Sequence, residues 1–233
     1  MTATVEQRIA ELSDSIQSEP GNAELYYRRG CCWHRQNANR KAIADYNEAI
    51  RLDPRFAAAY SDRGVAHQHL GDERQALADF TTAINLNPHH ALARINRADL
   101  YRRFGQSSKA VAEFRTVVSF LSDAIKLNTS DAMLYTLRGA AYNRLCCLDE
   151  ALADLNEAVH RAPEVAKSYR HRGEVLYRQG RYIEAVADFD KGLSLDTKNP
   201  IIVRLRAAAF EALGEAEKAA DDLRLAEQLE NEH

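Results

Sequence analysis

The sequence is poor in glycine and proline, and neither charge is in large excess. Ten glycines and five prolines in 233 residues are few for the turns that an all-β fold needs. The formal net charge of −3 provides no global basic excess that would draw the chain to nucleic acid or to a membrane. No apolar run approaches the roughly 18 residues of a membrane span. Met1 to Glu19 also lacks the apolar core of a secretory signal peptide.

Cysteine is scarce and occurs as two adjacent pairs, Cys31-Cys32 and Cys146-Cys147. Neighbouring residues on a helix point about 100° apart, so each pair is poorly placed to bridge itself. The spacing matches no zinc motif. We expect free thiols and a cytoplasmic location, with a redox or metal role as the alternative.

A repeat of 34 residues is the dominant feature of the sequence. An Arg-Gly or Arg-Ala dipeptide recurs at steps of 34, 34, 41, 34 and 34 residues, beginning at Arg29, Arg63, Arg97, Arg138, Arg172 and Arg206. This period predicts six repeats, at residues 23–56, 57–90, 91–131, 132–165, 166–199 and 200–233. Positions within a repeat are counted from its first residue, which is position 1.

The pattern inside each repeat predicts two packed helices. Positions 4, 7, 8 and 11 share one face of a first helix, and positions 20, 24 and 27 share one face of a second. Position 20 is alanine in all six repeats, and position 24 is large and apolar throughout. Gly71, Gly105, Gly180 and Gly214 follow the first helix at position 15. A hairpin of this kind buries only one side by itself, so successive hairpins must stack.

Residues 23–233 resemble the tetratricopeptide repeat family, which has this period and these small and aromatic positions. The resemblance implies an all-α fold, a right-handed superhelical solenoid of six helix-turn-helix hairpins. It also implies a protein-interaction scaffold and not an enzyme, with no cofactor, metal or catalytic residue.

The two irregular parts of the array are its N-terminus and its third repeat. Residues 1–22 align with the second half of a repeat, which predicts a capping helix from about Thr4 to Ser18. The seven extra residues of repeat three are almost two helical turns, so a single helix from about Ser107 to Leu127 is expected. This extension is either a length variant or an exposed apolar ridge at Val118, Phe120 and Leu121 for a partner or a second copy.

Opposite charges recur at positions 7 and 23. Position 7 is always arginine and position 23 always acidic, so we predict structural charge pairs in each repeat's own or adjoining hairpin. The residues are Arg29 and Asp45, Arg63 and Asp79, Arg97 and Glu113, Arg138 and Asp154, Arg172 and Asp188, and Arg206 and Asp222.

The family resemblance implies that first helices line a concave groove through positions 2, 5, 9, 12 and 13. Eight basic residues, Lys167 among them, and four acidic residues fall there, so the groove is locally basic on an acidic chain. We interpret it as a groove that binds an extended or helical peptide, and an acidic peptide would match its positive charge. The alternative is that these residues form only a solvated face. The predicted partner-binding residues are Tyr27, His34, Arg35, Gln68, His69, Arg102, Arg103, Asn143, Arg144, Arg170, Tyr177, Arg178 and Arg204.

Other functions are less favoured. The carboxylate clamp by which some family members hold chaperone C-termini is not matched residue by residue. The family's basic residue and asparagine at positions 5 and 9 are replaced by Tyr27 and Cys31 in repeat one. His34, His67 and His69 suggest a metal site only weakly, because His67 occupies the aromatic position 11. Self-assembly is the main alternative function, and RNA binding is less favoured, since Tyr27 and Tyr177 alone could stack bases in the groove.

Overall fold

The computed structural model describes residues 4–231, and every regular element in that range is a helix. The helices are α1 (Val5–Ser18), α2 (Ala23–Arg35), α3 (Asn39–Leu52), α4 (Ala57–His69), α5 (Glu73–Leu86), α6 (Ala91–Arg103), α7 (Ser107–Leu127), α8 (Ala132–Arg144), α9 (Leu148–Arg161), α10 (Ala166–Arg178), α11 (Tyr182–Leu195), α12 (Pro200–Ala212) and α13 (Ala216–Asn231). The predicted all-α repeat solenoid is confirmed. Residues 1–3 and 232–233, the ends of the predicted cap and last repeat, lie outside the described range.

Each first helix is followed, two residues after its end, by a residue at position 15 that has a left-handed backbone conformation. Four of the six are glycines, with φ between 72° and 79°, and the other two are Asn37 (φ 54°) and Cys146 (φ 63°). This conformation turns the chain so that the second helix can pack back along the first.

Close contact between the two helices explains the small residues at position 8. A Cβ atom added to Gly64 would lie 2.7 Å from Cε1 of Phe80, which is fully buried at position 24. Position 20 is fully or almost fully buried in every repeat. In the four repeats with glycine at position 8, the hairpin therefore packs a large side chain directly on the glycine backbone.

The chain divides into two compact units, residues 1–113 and 114–233, and the division falls within α7. In unit 1, Thr4 and Gln7 form a reciprocal capping box that starts α1. Ile9 and Leu12 of α1 pack with Cys32 of α2, so α1 covers the first repeat as a cap would. Within residues 4–231, no helix has the length and apolar character to cross a membrane.

The long helix α7 has the bounds expected from the sequence, but the expected apolar ridge is not exposed. Leu121 is 2% exposed, and Val118 and Phe120 are partly buried. Seven residues turn the apolar face by only about 20°, so the extension keeps its apolar side inward. The interpretation as an exposed contact surface is therefore wrong for Leu121, and for the partly buried Val118 and Phe120 it stays a prediction.

Candidate functional site

The recurrent arginines at position 7 connect neighbouring second helices. In five repeats, Nε and Nη2 of the arginine donate to both oxygens of the aspartate sixteen residues later, at 2.6–2.9 Å. The same guanidinium's Nη1 donates to the residue sixteen positions earlier, for example Arg63 to Asn47 and Arg138 to Ser122. The aspartates are buried. These pairs hold the array together and present no free charge to a ligand.

Repeat three departs from this geometry because its acid is a glutamate. Glu113 accepts hydrogen bonds from Arg97 and, at 2.6 Å, from Nη1 of Arg94. Nε of Arg97 is buried with no hydrogen-bond partner among the described residues. The longer carboxylate thus serves two arginines but leaves one donor unsatisfied.

Three basic residues of the predicted groove already have acidic partners. Arg102 pairs with Asp99 at 3.0 Å, and Arg103 pairs with Glu73. In unit 2, Arg204 forms a two-bond pair with Glu230 at 2.6 and 2.9 Å. All three arginine side chains are about half exposed. The effective positive charge of the first-helix faces is therefore smaller than their composition suggests.

The predicted histidine residues form a small cluster in unit 1 without the geometry of a metal site. His34 Nδ1 lies 2.8 Å from Asn39 Oδ1, and the His34 and His69 rings meet edge to face at 5.1 Å between centroids. Burial, and then the neighbouring His34, lower the pKa of His69. Nearby, Arg35 is exposed and Gln68 is partly buried. No group of three or more potential metal ligands occurs in the part of the chain that the structure describes.

A cationic cluster occupies the first-helix face of unit 2, where α8 packs beside α10. We define it as Arg144, Lys167, Arg170, His171 and Glu174. Glu174 is the single carboxylate, and it lies 2.6 Å from Nη1 of Arg170 and 3.6 Å from Nη1 of Arg144. Arg170 also donates through Nη2 to Nε2 of His171 at 2.9 Å.

The electrostatics of this cluster show a surplus of positive charge. Burial, and then Arg170, lower the pKa of His171 to about 4, so the ring is neutral at pH 7. Burial and Arg170 also lower the pKa of Lys167. Although burial raises the pKa of Glu174, its neighbours His171, Arg170 and Arg144 bring it down to about 2. Lys167 therefore adds a second cation beside the ion pair of Arg170 and Glu174, and the cluster contains no second carboxylate to match it.

Three further predicted groove residues, Asn143, Tyr177 and Arg178, lie near the cationic cluster. Asn143 is 1% exposed, and its Oδ1 accepts a hydrogen bond from Nη1 of Arg178 at 2.6 Å. Because Asn143 is buried, its assignment to an exposed binding surface is wrong; it positions Arg178 and also donates to Glu174 at 3.5 Å. Tyr177 packs against Tyr182, with 5.3 Å between ring centroids.

An acid–aromatic cluster occupies the first-helix face of unit 1. We define it as Tyr27, Cys31, Tyr46, Phe56 and Asp62. The Tyr27 hydroxyl donates to Asp62 Oδ2 at 2.9 Å, and the Tyr27 ring lies against Phe56 with 4.7 Å between centroids. Cys31 Sγ lies 3.8 Å from the same carboxylate oxygen. Of these residues, the sequence interpretation placed only Tyr27 among the predicted binding residues.

A sequence signal for the missed residues exists. Tyr46 carries the only hydroxyl at position 24, where the other repeats have phenylalanine or leucine. Asp62 and His171 both occupy position 6, which the family's groove positions omit. Tyr46 thus departs from a regular position and marks the acid–aromatic cluster, whereas position 6 varies among the repeats and gives no comparable signal for the cationic cluster.

Comparisons with known proteins agree with this architecture. Family models described as tetratricopeptide repeats match residues 33–71, 57–90 and 148–200. No curated protein gives a significant sequence match.

Three solved structures are similar in fold. A chain of the APC/C hetero-tetramer Cut9–Hcn1 has a TM-score of 0.65 and 16% identity over 98% of this chain, which corresponds to 44% of that chain. TTC0263, a thermophilic protein of Thermus thermophilus, has a TM-score of 0.62 and 21% identity, covering 82% of this chain and 99% of that one. A Parabacteroides merdae protein has a TM-score of 0.57 and 21% identity, covering 97% and 86%. At such identities, the likeness concerns the fold alone.

Proposed function

Since the chain is a tetratricopeptide repeat protein, we propose that it is a non-enzymatic adaptor that binds a peptide segment of a partner protein on its first-helix faces. We further propose that the peptide contributes an acidic side chain to the cationic cluster of unit 2, and that the protein works in the cytoplasm. Repeats of this family generally serve as interaction scaffolds.

The observation that carries the proposal is the surplus charge around Glu174. Lys167 is partly buried, and no carboxylate lies within ion-pair distance of it among the described residues. Holding like charges together away from water is unfavourable, as the lowered pKa values of Lys167 and His171 indicate. An incoming carboxylate would relieve this repulsion, and perturbed groups on an accessible face are typical of binding sites.

The test is capture of partners from the source lysate by wild type, by Lys167→Glu and by a matched control, Arg102→Glu. Arg102 is a groove arginine that already pairs with an acid. We expect Lys167→Glu to lose captured proteins that Arg102→Glu retains. Synthetic segments of those proteins should then bind wild type at least tenfold more tightly than versions with Asp and Glu replaced by Asn and Gln.

Other outcomes would overturn the proposal. Equal capture by all three proteins would mean that the cationic cluster is not a ligand site. Capture of RNA in place of protein, lost at high salt, would favour nucleic-acid binding. A mass that rises with concentration, without captured proteins, would favour self-assembly.

A further inference from the structure

The acid–aromatic cluster of unit 1 contains a carboxylate without a cation. Both donors to Asp62, the Tyr27 hydroxyl and the Cys31 thiol, lie on Oδ2. Within residues 4–231, no lysine or arginine forms an ion pair with Asp62, and Oδ1 accepts no hydrogen bond. Asp62 is partly exposed, so one carboxylate oxygen is available to a ligand.

A basic group close enough to feel the charge of Asp62, His90, does not neutralise it. His90 is partly buried, and burial lowers its pKa although the charge of Asp62 opposes that effect. Its Nδ1 is also engaged, because it accepts a hydrogen bond from the Ala93 amide at 3.3 Å and caps α6. His90 is therefore neutral at pH 7, and the charge of Asp62 is left uncompensated.

The walls of the cluster are suited to an organic cation. Tyr27 and Phe56 lie at 46° to each other beside the carboxylate. Tyr27 also lies 6.0 Å from Tyr46 between ring centroids. Aromatic faces attract ammonium and guanidinium groups, most strongly where an acid adds its charge and the groups are partly desolvated.

The cluster also contains a buried hydroxyl that the scaffold does not require. The hydroxyl of Tyr46 is buried and has no hydrogen-bond partner among the described residues, and the residue is 0% exposed. Burial, then the neighbouring Cys31 and Asp62, raise the pKa of Tyr46. Leaving a hydroxyl unpaired costs about 1–3 kcal/mol, and the phenylalanines of three other repeats avoid that cost at this position.

We propose that the acid–aromatic cluster binds the cationic side chain of a lysine or arginine in a partner peptide. The ammonium or guanidinium group would donate to Oδ1 of Asp62, and its aliphatic stem would lie on Tyr27 and Phe56. The occupant rests on the proposed peptide-binding function, but the site belongs to unit 1 and is independent of the cationic cluster of unit 2.

The experiment is a titration of the ¹⁵N-labelled protein with N-acetyl-lysine methylamide, followed by NMR. The matched probe is N-acetyl-norleucine methylamide, which keeps the aliphatic chain and lacks the ammonium group. We expect shifts of the Tyr27, Cys31 and Asp62 amides with the lysine derivative at millimolar concentrations. Equal shifts with the norleucine derivative, or none with either, would overturn the proposal.

Variants separate the charge from the aromatic wall. Asp62→Asn should weaken lysine binding at least fivefold, whereas Asp72→Asn, which removes a more exposed acid but retains a cap for α5, should leave it unchanged. Tyr27→Leu should weaken binding. Tyr27→Phe should not, because it keeps the ring and releases Oδ2. If Asp62→Asn proves unfolded by circular dichroism, the two Tyr27 variants decide the matter.

The final experiment tests whether the ligand is a peptide, by comparing a lysine-containing peptide with the single lysine derivative. A Gly-Gly-Lys-Gly-Gly peptide should bind at least threefold more tightly than the single lysine derivative, since its backbone adds contacts. Equal affinity would contradict a peptide ligand. Because no arm uses the cationic cluster of unit 2, failure here is distinguishable from failure of the acidic-ligand proposal tested with Lys167→Glu.

Discussion

Units 1 and 2 differ in charge at the same position of the repeat. In repeat two, position 6 is Asp62, whose carboxylate has no cationic partner. In repeat five, position 6 is His171, which lies beside the cations Arg170 and Lys167. The arginine–acid pairs at positions 7 and 23 recur in both units. Recurrent positions thus build the scaffold, and the two proposed binding clusters depend on residues that differ between repeats.

The largest expected effect tests whether the scaffold is common to both units. Asp79→Ala in unit 1 and Asp188→Ala in unit 2 each leave a partly buried arginine without its carboxylate. We expect each variant to lose about 3–5 kcal/mol of unfolding free energy. Hydrogen exchange read separately in each unit, with urea denaturation, measures the loss, because repeat arrays do not always unfold in one step.

An exposed pair provides the control for that prediction. Glu184 pairs with Arg181 in unit 2, and both side chains are about half exposed. Glu184→Ala should lower the unfolding free energy far less than Asp79→Ala or Asp188→Ala, because water screens an exposed pair. A large difference between Asp79→Ala and Asp188→Ala would mean that the arginine–acid pairs do not stabilise the two units equally. It would contradict a scaffold common to both units.

The second prediction concerns the pH dependence of stability, to which His171 at position 6 should contribute. The pKa of His171 is about 4 in the folded state, below the ordinary histidine value of 6.5. Between pH 6.5 and 4 the unfolded chain therefore binds a proton that the folded chain does not, so stability falls as the pH falls. From pH 6.5 to 5, His171 should contribute a loss of about 1–2 kcal/mol.

His171→Leu, which introduces the residue found at position 6 in repeats four and six, should remove that loss. In the wild type, Glu174 stays ionised over this pH range, since its pKa is about 2. Asp62→Leu is the matched control because it makes the same replacement without removing a histidine. Urea midpoints at pH 6.5 and 5 measure the difference, and an unchanged pH dependence in His171→Leu would contradict a neutral, buried His171.

The sequence predicts the scaffold well because the scaffold repeats. The bounds of α7 and the arginine–acid pairs follow from residue identities at fixed spacing. The clusters do not follow in this way, because their contacts join residues such as Tyr27 and Asp62, which are 35 positions apart and meet only once the hairpins are stacked. Burial of Asn143 and pairing of Arg102 with Asp99 likewise depend on the packing of complete helices.

The third prediction concerns repeat three, where the scaffold itself is irregular. Glu113→Asp combined with Arg94→Tyr restores the residues that four of the other repeats carry at positions 4 and 23. Both nitrogens of Arg97 could then bond the carboxylate, and the unsatisfied Nε would gain a partner. We expect the double variant to be about 1 kcal/mol more stable than wild type. Glu113→Asp alone should be less stable than the double variant, because Arg94 loses its partner, and the opposite order in urea denaturation would refute this account.

The smallest expected effects compare the two non-glycine residues that hold a left-handed conformation. Cys146 in unit 2 and Asn37 in unit 1 occupy the same position of the repeat, with φ of 63° and 54°. The left-handed region costs an ordinary residue about 1–2 kcal/mol, whereas asparagine tolerates it. Cys146→Gly should therefore stabilise the protein by about 1 kcal/mol, after the greater freedom of glycine in the unfolded chain is allowed for.

Asn37→Gly should change the stability by only a few tenths of a kcal/mol. Cys146→Ala is the necessary control, because the Cys146 thiol also lies 3.2 Å from Nη2 of Arg178. If removal of that contact were the cause, alanine and glycine would have the same effect in thermal melts. If backbone strain is the cause, glycine stabilises and alanine does not, because alanine retains the Cβ atom that disfavours the left-handed region.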